Sequence, residues 1–511
     1  MADFEYSKIP LIDKLPALHG VFDSASVKKN SAASANCEKR NNKIVENLEN
    51  AIKLSGLKNG MTISFHHHFR GGDYIVNMVL DKLAQMGFRD LVLAASSLTD
   101  CHAPLIEHIK NGVIKRIETS GLRGELAEAI SNGLMDTPVI FRSHGGRAYA
   151  IETGELHIDV AFLGAPSCDA YGNANGYIRE NDHGIMCGSM GYAKTDAQYA
   201  DKTIIITNYI APYPNTPFAI AACDVDYVVE VEEIGDPAGI MKGATRFTSN
   251  PKELMIAEAC ANVVEATGLF KNGWSFQMGS GGASLAVARF LRQRMMQQEI
   301  KARFALGGIT GQIVQMHEEG LVEKILDVQS FDLDAARSLK NNHLHSQISA
   351  SYYASPGDRE AAVNQLDVVI LSALEVDTNF NVNVLTGSDG VIRGAIGGHS
   401  DTAAGAAVSI VVLPLTRGRI PCVVEKVNTV VTPGQSIDVL VSDYGIAVNP
   451  LRKELSEKLS QAGIKLTTIE ELCAKATSIV GTPEPIEYLE KVVGIVAYRN
   501  NSVIDIIHQV K

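Results

Sequence analysis

Two stretches of the chain repeat the same order of features, and this repeat constrains the fold more than any other property of the sequence. The first copy has Ser64-Phe65, the pair Gly71-Gly72, an amphipathic stretch and the short apolar run LVLAASSL. The second copy has Ser275-Phe276, Gly281-Gly282, a helical pattern and the run ARFALGGITG. Such alternation is typical of βαβ units in a mainly parallel sheet. The sequence therefore predicts an α/β protein with two related domains that arose by duplication.

The repeat also divides the chain. Its 511 residues are too many for one ordinary hydrophobic core. Residues 1–44 are polar and rich in turn-forming residues, and we predict an N-terminal arm. We predict a first α/β domain at 45–250 and a second at 251–511, because turn-rich stretches such as TRFTSNPKE separate the two copies.

Charge and hydropathy exclude several classes of protein. A net charge of −12 argues against binding to nucleic acid or to anionic lipid. No apolar run reaches the roughly 18 residues that a membrane span needs, and the N-terminus lacks the apolar core of a secretory signal. We therefore predict a cytoplasmic protein. Its 46% hydrophobic content further suggests that it associates as a homo-oligomer.

Cysteine and histidine spacing argues against a metal site. None of the eight cysteines lies closer than 19 residues to the next, which excludes the CxxC pairs of a zinc ribbon. In SFHHHFRGGD, His66 and His68 face one side of an extended chain and His67 faces the other, so the three cannot converge on one ion. We predict instead that His67, His68 and Arg70 line a pocket for an anionic substrate. Simple hydrogen bonding at a domain contact is the alternative.

The two glycine pairs predict sites for a negatively charged oxygen. A glycine turn between a strand and a helix leaves the first helical N–H groups unpaired, and these can hold an anion or a developing oxyanion. Asp73 is placed to cap the first of these helices. We expect a side chain at Gly281 to block the loop without disturbing the fold. A tight βα turn without a ligand is the alternative. The predicted catalytic residues are Gly71, Gly72, Ser280, Gly281 and Gly282.

Other polar and glycine-rich stretches add candidate binding residues. FRSHGGRAYA supplies Arg142, His144 and Arg147, a set that suits a polycarboxylate. Asn379 and Asn381 follow Glu375 at alternating positions, and we expect both to contact substrate. In a parallel sheet, ligands collect beyond the carboxyl ends of the strands, where such loops belong. The residues predicted to contact a thioester or CoA are Gly307, Gly308, Glu375, Gly397 and Gly398.

Three long blocks resemble the citrate lyase alpha subunit family of citrate CoA-transferases: SFHHHFRGGDYIVNMVLDKL, LRGELAEAISNGLMDTPVIFRSHGGRA and LGAPSCDAYGNANG. The resemblance extends from about residue 40 to the end. The C-terminal half is also similar to acetyl-CoA hydrolases and 4-hydroxybutyrate CoA-transferases. The resemblance implies two related open α/β domains of the CoA-transferase-like, NagB/RpiA type, with the active site between them.

The resemblance also implies a reaction without a protein nucleophile. The wider group has a nucleophilic glutamate in a segment that corresponds to FALGGITGQIVQMHEEG, where the matching position is Gly311 and no acid occurs between Phe304 and Met316. Citrate would then attack the acetyl-thioester directly, giving a mixed anhydride, citryl-thioester and acetate. The implied partners are citrate, an acyl carrier protein subunit and a lyase (beta) subunit. CoA or a CoA-like prosthetic group is a substrate, and no covalently bound cofactor is expected.

Two alternatives remain at this level. The first is a hydrolase or monocarboxylate CoA-transferase with a glutamate nucleophile, for which Glu375 is the candidate. The second is a non-catalytic scaffold that docks the carrier and lyase subunits.

Overall fold

Residues 42–66, 68–179, 184–240, 248–279 and 281–511 are described in a computed structural model of the chain. Strands and helices alternate along most of this length. The helices are α1 (Leu48–Ser55), α2 (Ile75–Gln85), α3 (Leu105–Lys110), α4 (Gly124–Ser131), α5 (His144–Thr153), α6 (Gly191–Tyr199), α7 (Pro251–Ala266), α8 (Gly282–Gln298), α9 (Gly311–Glu318), α10 (Leu333–Asn341), α11 (Ala350–Ala354), α12 (His399–Gly405), α13 (Lys453–Gln461) and α14 (Ile469–Val480).

The strands form two large sheets, in which nearly all neighbours are parallel. The first sheet has the spatial order β1 (Ile44–Val45), β11 (Tyr227–Glu230), β9 (Lys202–Thr207), β6 (Val160–Ala165), β2 (Thr62–Phe65), β3 (Leu91–Ala95), β4 (Ile114–Thr119), β5 (Val139–Phe141), β26 (Tyr488–Ala497) and β27 (Val503–Val510). The second has the order β15 (His345–Gln347), β14 (Ile325–Ser330), β13 (Ala302–Ile309), β12 (Trp274–Met278), β16 (Val368–Ser372), β19 (Val408–Val412), β23 (Val439–Ser442), β24 (Gly445–Val448) and β25 (Leu466–Thr467).

Three small sheets complete the strand pairing. One contains β10 (Ile210–Ala211), β7 (Ser167–Asp169) and β8 (Ala174–Asn175), and a second contains β18 (Val382–Asn383), β17 (Glu375–Asp377) and β22 (Val423–Val424). β20 (Thr416–Arg417) and β21 (Ile420–Pro421) form a short hairpin. None of the helices in the described ranges combines the length and the apolar character that crossing a bilayer requires.

The two large sheets repeat one topology. The order β11-β9-β6-β2-β3-β4-β5 in the first matches β23-β19-β16-β12-β13-β14-β15 in the second, so that β2 and β12 hold the same place. Both strands are buried along most or all of their length because they have parallel neighbours on either side. The prediction of two related α/β units with mainly parallel sheets is confirmed.

The end of the chain returns to the first sheet. Strands β26 and β27 form an antiparallel hairpin, and Gly494–Val496 of β26 pair in parallel with Val139–Phe141 of β5. The predicted segment 251–511 assigned this hairpin to the second domain, whereas its hydrogen bonds cover the edge that β5 would otherwise expose. The remaining domain boundaries stay a prediction. Of the predicted arm at 1–44, residues 1–41 lie outside the described ranges, as do residues 241–247 near the domain boundary.

Helices from both units pack together between the sheets. α5 and α6 of the first unit contact α11, and α5 also contacts α12. Tyr192 and Ala148 share a buried cluster with Tyr353 and Val328 of the second unit. Across the same interface, the Ser355 hydroxyl donates to the Glu152 carboxylate over 2.8 Å. This packing brings the carboxyl ends of strands from both sheets to one region.

Candidate functional site

The loops after β2 and β14 meet through one aromatic ring. The guanidinium of Arg70 lies over the ring of Phe331, with 4.7 Å between the guanidinium carbon and the ring centroid. Phe331 follows β14 and packs so closely on Gly308 that a Cβ at Gly308 would overlap with the ring. Arg70 and Gly308 were predicted separately, and the structure brings them together at the boundary between the two units.

Arg70 combines an unfavourable backbone with an unpaired charge. Its φ of 53° lies in the left-handed region, which residues other than glycine rarely adopt. Nη1 is buried and has no hydrogen-bond partner within the described part of the chain. Burial and the nearby positive charge of Arg123 lower the pKa of Arg70 to about 10, so the group is still charged at neutral pH. Such a strained, unpaired cation at a domain boundary indicates a binding site for an anion.

His68, two residues before this arginine, is buried and neutral at pH 7. His66 and His68 face one another with 4.3 Å between ring centroids, and His66 Nδ1 lies 2.5 Å from Ser96 Oγ. Neither nitrogen of His68 has a partner among the described residues, and burial lowers its pKa to about 3. His67, also predicted as a substrate residue, lies outside the described residues. His68 can therefore offer hydrogen bonds to a substrate but no positive charge.

His144 reaches the same region from the start of α5. Its ring centroid is 4.3 Å from that of Tyr192, which in turn lies 5.0 Å from His66. Burial, with a contribution from Arg147, lowers the pKa of His144 to about 3. The His144 backbone N–H donates to the Gly397 carbonyl over 2.9 Å, so Gly397, a predicted thioester residue, also lies here.

Arg142 and Arg147 are both paired with carboxylates of the first unit. The predicted substrate role of Arg142 conflicts with its bonds to Glu118 at 2.9 Å and Glu155 at 3.0 Å. Arg147 makes a bidentate pair with Asp196 at 2.6 and 2.8 Å. Both guanidinium groups are buried and satisfy buried carboxylates, so they stabilise the fold of the first unit.

Packing requires a glycine at position 72 of the first glycine pair. A Cβ at Gly72 would overlap with the Asp236 carbonyl, and one at Gly239 would come 2.8 Å from the Gly71 carbonyl carbon. The Gly72 N–H donates to Phe69 O over 2.9 Å within a 3₁₀ turn, so the predicted catalytic role of Gly72 as a donor is not available in this geometry. Asp73 does cap α2, because its carboxylate accepts from the Val76 N–H at 3.1 Å.

The second glycine pair lies at the start of α8. Gly282 is the first residue of that helix, and the helix provides no carbonyl partner for its N–H. A Cβ at Gly281 would overlap with the Ser372 hydroxyl, so a larger residue would disturb the fold, contrary to expectation. At Gly282 a Cβ would meet only the mobile end of Glu253, at 2.9 Å. Ser280 lies outside the described residues.

A narrow cavity joins the second glycine loop to Gly308. Its polar lining includes Thr310 Oγ1 and Gln312 Oε1, which are buried and have no partner in the described ranges. Gly307, with φ of 101°, lies where a Cβ would come 2.5 Å from the Gln277 side chain. The cavity is lined by Phe276, Gln277, Met278, Gly279, Leu285, Ala305, Leu306, Gly308, Thr310, Gln312, Ile313 and Phe331.

Two tyrosines at this boundary were missed by the sequence reasoning. The Tyr353 hydroxyl accepts a hydrogen bond from Gln277 Nε2 over 2.9 Å and donates one to Gln277 Oε1. Gly398 packs against the same hydroxyl. Tyr192 lies between His66 and His144. Neither tyrosine belongs to a motif, and each makes these contacts with residues that are distant from it in the chain.

Comparison with known proteins identifies the family. The model of the family "Citrate lyase, alpha subunit (CitF)" matches residues 41–510. The citrate lyase alpha chain of Klebsiella pneumoniae is 60% identical over 474 residues, which cover 93% of this chain and 92% of the relative. The chain belongs to the citrate lyase alpha subunit family. The alpha chain of Haemophilus influenzae is 56% identical over 500 residues and 98% of both chains.

Solved structures agree with this family assignment. The citrate lyase alpha subunit of Streptococcus mutans, solved in complex with citrate, superposes with a TM-score of 0.92 at 56% identity over 95% of both chains. A Pseudomonas malonate decarboxylase hetero-tetramer in complex with malonate gives a TM-score of 0.64 at 14% identity, covering 86% of both chains, and so shares the fold alone.

In this citrate lyase alpha family member, Glu375 anchors a loop. Its Oε2 accepts from Asn383 Nδ2 at 3.0 Å and from the Asn428 N–H at 3.2 Å, and its Oε1 accepts from Asn428 Nδ2 at 3.2 Å. Burial raises the pKa of Glu375. All three of these contacts are with Asn383 and Asn428, and Glu375 is not among the residues that line the cavity.

Asn379 and Asn381 belong to a loop that the duplication repeats. The Asp377 carboxylate accepts from the N–H groups of Asn379 and Asn381 at 2.9 and 3.0 Å. In the first unit, Asp169 accepts from the N–H groups of Tyr171 and Asn173 in the same way, at 2.9 and 3.1 Å. Asn381 also accepts from the Gly434 N–H at 2.9 Å. For Asn381 this geometry indicates a structural role rather than the predicted contact with substrate.

The position matched to the nucleophile of the wider group carries no acid. Gly311 begins α9, and its N–H donates to Asp332 Oδ2 over 2.7 Å. Asp332 is itself occupied, because its other oxygen accepts from the Ala335 N–H at 2.8 Å and caps α10. Burial raises the pKa of Asp332.

One exposed group has ligand atoms close enough for a metal ion. Among the described residues, only His157, Asp159 and Asp201 bring three such atoms within 4.8 Å of one another. Asp159 and Asp201 directly precede β6 and β9, at the strand ends opposite the candidate site. Asp159 accepts from the Thr62 N–H at 2.7 Å and so orders the start of β2.

Proposed function

We propose that this chain is the CoA-transferase subunit of citrate lyase. It would exchange the acetyl group of an acetyl-thioester carrier for citrate, giving a citryl-thioester and acetate. Family membership and the similarity to a citrate-bound alpha subunit support the substrate class. The observation that carries the proposal is the unpaired guanidinium of Arg70, held between the two units beside a narrow cavity with unpartnered polar groups.

Each step of the proposed exchange balances without a protein nucleophile. A citrate carboxylate oxygen attacks the acetyl carbonyl carbon, and the carbon–sulfur bond breaks to leave a mixed anhydride and a thiolate. The thiolate then attacks the citryl carbonyl carbon and expels acetate, so no net proton is taken up. The chain supplies proximity and stabilises the oxyanion of each tetrahedral intermediate.

Arg70 and the start of α8 divide these tasks between the two units. Arg70 offers a charged donor to a citrate carboxylate, and neutral His68 and His144 offer hydrogen bonds without charge. The N–H of Gly282 lies at the positive end of the α8 helix dipole, and this position favours a negatively charged oxygen. The apolar walls near Gly308 suit the thioester and its chain.

The main alternative requires a glutamyl thioester, and the contacts of Glu375 argue against it. A nucleophilic carboxylate needs an oxygen that can reach the substrate, whereas both oxygens of Glu375 accept bonds from asparagines. Replacing Glu375 by glutamine keeps one acceptor oxygen, so we expect transfer to persist. Labelled borohydride reduces a glutamyl thioester to an alcohol and releases the thiol, so label fixed at position 375 during turnover would overturn this assignment.

A multi-subunit citrate lyase is the proposed setting. The thioester would be carried by an acyl carrier subunit, and a lyase subunit would cleave the citryl-thioester. We also propose that the chain forms a homo-oligomer in the cytoplasm.

Initial-rate kinetics test the proposal. The full chain is supplied with acetyl-CoA and citrate, alone and with its partner subunits, and citryl-thioester is measured. A direct reaction in a ternary complex gives intersecting double-reciprocal lines, whereas a covalent enzyme intermediate gives parallel lines. A folded chain that produces no citryl-thioester in either setting would support the scaffold alternative instead.

A further inference from the structure

We infer that Arg123 is a second carboxylate-binding residue of the site, and that with Arg70 it selects a polycarboxylate over a monocarboxylate. This inference rests on the proposed function and names a residue that was not among the predicted site residues. It follows from where Arg123 is held, from its neighbour and from its lack of an ionic partner.

Arg123 projects from a segment that contacts of the second unit hold in place. It follows β4 and directly precedes α4. The Leu122 N–H donates to the Gly394 carbonyl over 3.1 Å, and Gly121 bridges to Ala395. The side chain of Arg123 is exposed, but its backbone is therefore fixed at the carboxyl end of the first sheet, against a loop of the second unit.

A chain of contacts connects this segment to Arg70. Gly124 lies so close to Asp100 that a Cβ there would come 2.5 Å from Asp100 Oδ1. The next residue, Cys101, places its Sγ 3.7 Å from the Arg70 carbonyl oxygen. The 3₁₀ turn that contains Asp100 and Cys101 thus contacts both arginine-bearing segments. The charge of Arg123 accordingly acts on Arg70 and adds to the effect of burial in lowering the pKa of Arg70.

The two arginines differ from the buried arginines of the chain. Arg142 and Arg147 each have a carboxylate oxygen within 3.0 Å. Arg70 and Arg123 make no ion pair with any carboxylate in the described ranges, although acidic residues outnumber basic ones by 58 to 46. Two like charges held together without counter-ions repel each other, and a bound polyanion would remove that repulsion.

Citrate has the charge distribution that such a pair would recognise. One carboxylate must remain available to attack the thioester, which leaves two for the two guanidinium groups. A planar guanidinium binds a carboxylate through two parallel hydrogen bonds and so also fixes its orientation. A monocarboxylate such as acetate can engage only one partner, and we expect Arg123 to matter far less for it.

The experiment compares two acceptors on one enzyme. The full chain and the variants Arg123→Gln and Arg123→Lys are assayed for transfer from acetyl-CoA to citrate and for exchange of labelled acetate into acetyl-CoA. Arg419→Gln, at an exposed hairpin turn of the second unit, makes the same charge change as a control. Calorimetric titration with citrate measures binding without turnover, and thermal melting checks the fold.

We expect Arg123→Gln to raise the KM for citrate about 10- to 100-fold, the effect of losing a charged hydrogen-bonded pair. The ratio of citrate transfer to acetate exchange should fall by a similar factor, and Arg123→Lys should restore part of it. An unchanged KM for citrate, or equal losses for citrate and acetate in a folded variant, would overturn the inference. Failure of the proposed function is distinct, because the unmodified chain would then make no citryl-thioester.

Discussion

Replacing Gly282 by proline removes a single amide N–H at the start of α8 and tests where the oxyanion is stabilised. Proline fits the first position of a helix, since its φ is already helical and the missing N–H has no partner in the helix. Gly281 before it has φ −75° and ψ 154°, the extended conformation that a following proline favours. We therefore expect α8 to form as before.

The expected magnitude separates the chemical effect from the steric one. Loss of one oxyanion donor lowers kcat by about 10²- to 10³-fold, equivalent to about 2.7–4 kcal/mol. The added Cβ would lie 2.9 Å from Glu253 Oε2, the far end of a flexible side chain that can move away. Gly282→Ala introduces the same Cβ but keeps the N–H, and it is therefore the matched control.

The assay is kcat for transfer from acetyl-CoA to citrate, with thermal melting as the check on folding. We expect Gly282→Pro to lose at least about 100-fold in kcat and Gly282→Ala to stay within about threefold of the unmodified chain. If Gly282→Pro keeps full activity, another group stabilises the oxyanion and the mechanism is wrong. Equal losses in both variants would assign the effect to the Cβ.

Three further outcomes follow from individual contacts. Phe331→Leu removes the ring beneath the site arginine and should raise the KM for citrate about 2- to 30-fold, the range of a partly buried cation–π contact, whereas Phe304→Leu removes the ring beneath an exposed arginine and should not. Glu375→Ala should lower the free energy of unfolding by about 1–3 kcal/mol because it removes three hydrogen bonds, including the one from the Asn428 backbone N–H, and urea titration with normal stability would contradict the anchoring role. The pKa values of His68 and His144 are lowered from 6.5 to about 3 in the folded chain. Below pH 6.5 the unfolded chain binds protons at these histidines that the folded chain does not, so the free energy of unfolding falls as the pH falls toward 3, by about 2 kcal/mol per histidine at pH 5. His144→Gln should therefore lose less stability between pH 7 and pH 5 than the unmodified chain in urea titrations, and an equal loss would contradict the lowered pKa.

The duplication was predictable because its signals are local. A strand, a glycine turn and a helix occupy about twenty consecutive residues, and each is recognised by composition and periodicity within that window. The pairing of β26 with β5 joins residues more than 350 positions apart, and no local pattern records it. The apolar half of strand β26 would fit the core of either unit, so the sequence alone assigned the hairpin to the unit that is nearer along the chain.

The arginines show why the site was only partly predictable. Composition suggested that Arg70, Arg142 and Arg147 would bind an anion, and nothing in their neighbourhoods distinguished them. Arg147 meets Asp196, 49 residues away, while Arg70 meets an aromatic ring from the other unit. Whether an arginine is neutralised depends on these distant partners, which only the fold specifies.

The unpaired charge of Arg70 is the physical basis for assigning this residue to substrate binding. In a chain with an excess of acidic groups, a half-buried guanidinium gains most by pairing with a carboxylate, and the buried Arg142 and Arg147 have done so. Arg70 stays unpaired and adopts a left-handed backbone conformation, so it carries two unfavourable energy terms, one electrostatic and one conformational. A carboxylate substrate removes the electrostatic term when it binds, which couples substrate affinity to the repulsion between Arg70 and Arg123. Selectivity for a polycarboxylate then follows from the number of unpaired cations, since each additional carboxylate neutralises one more.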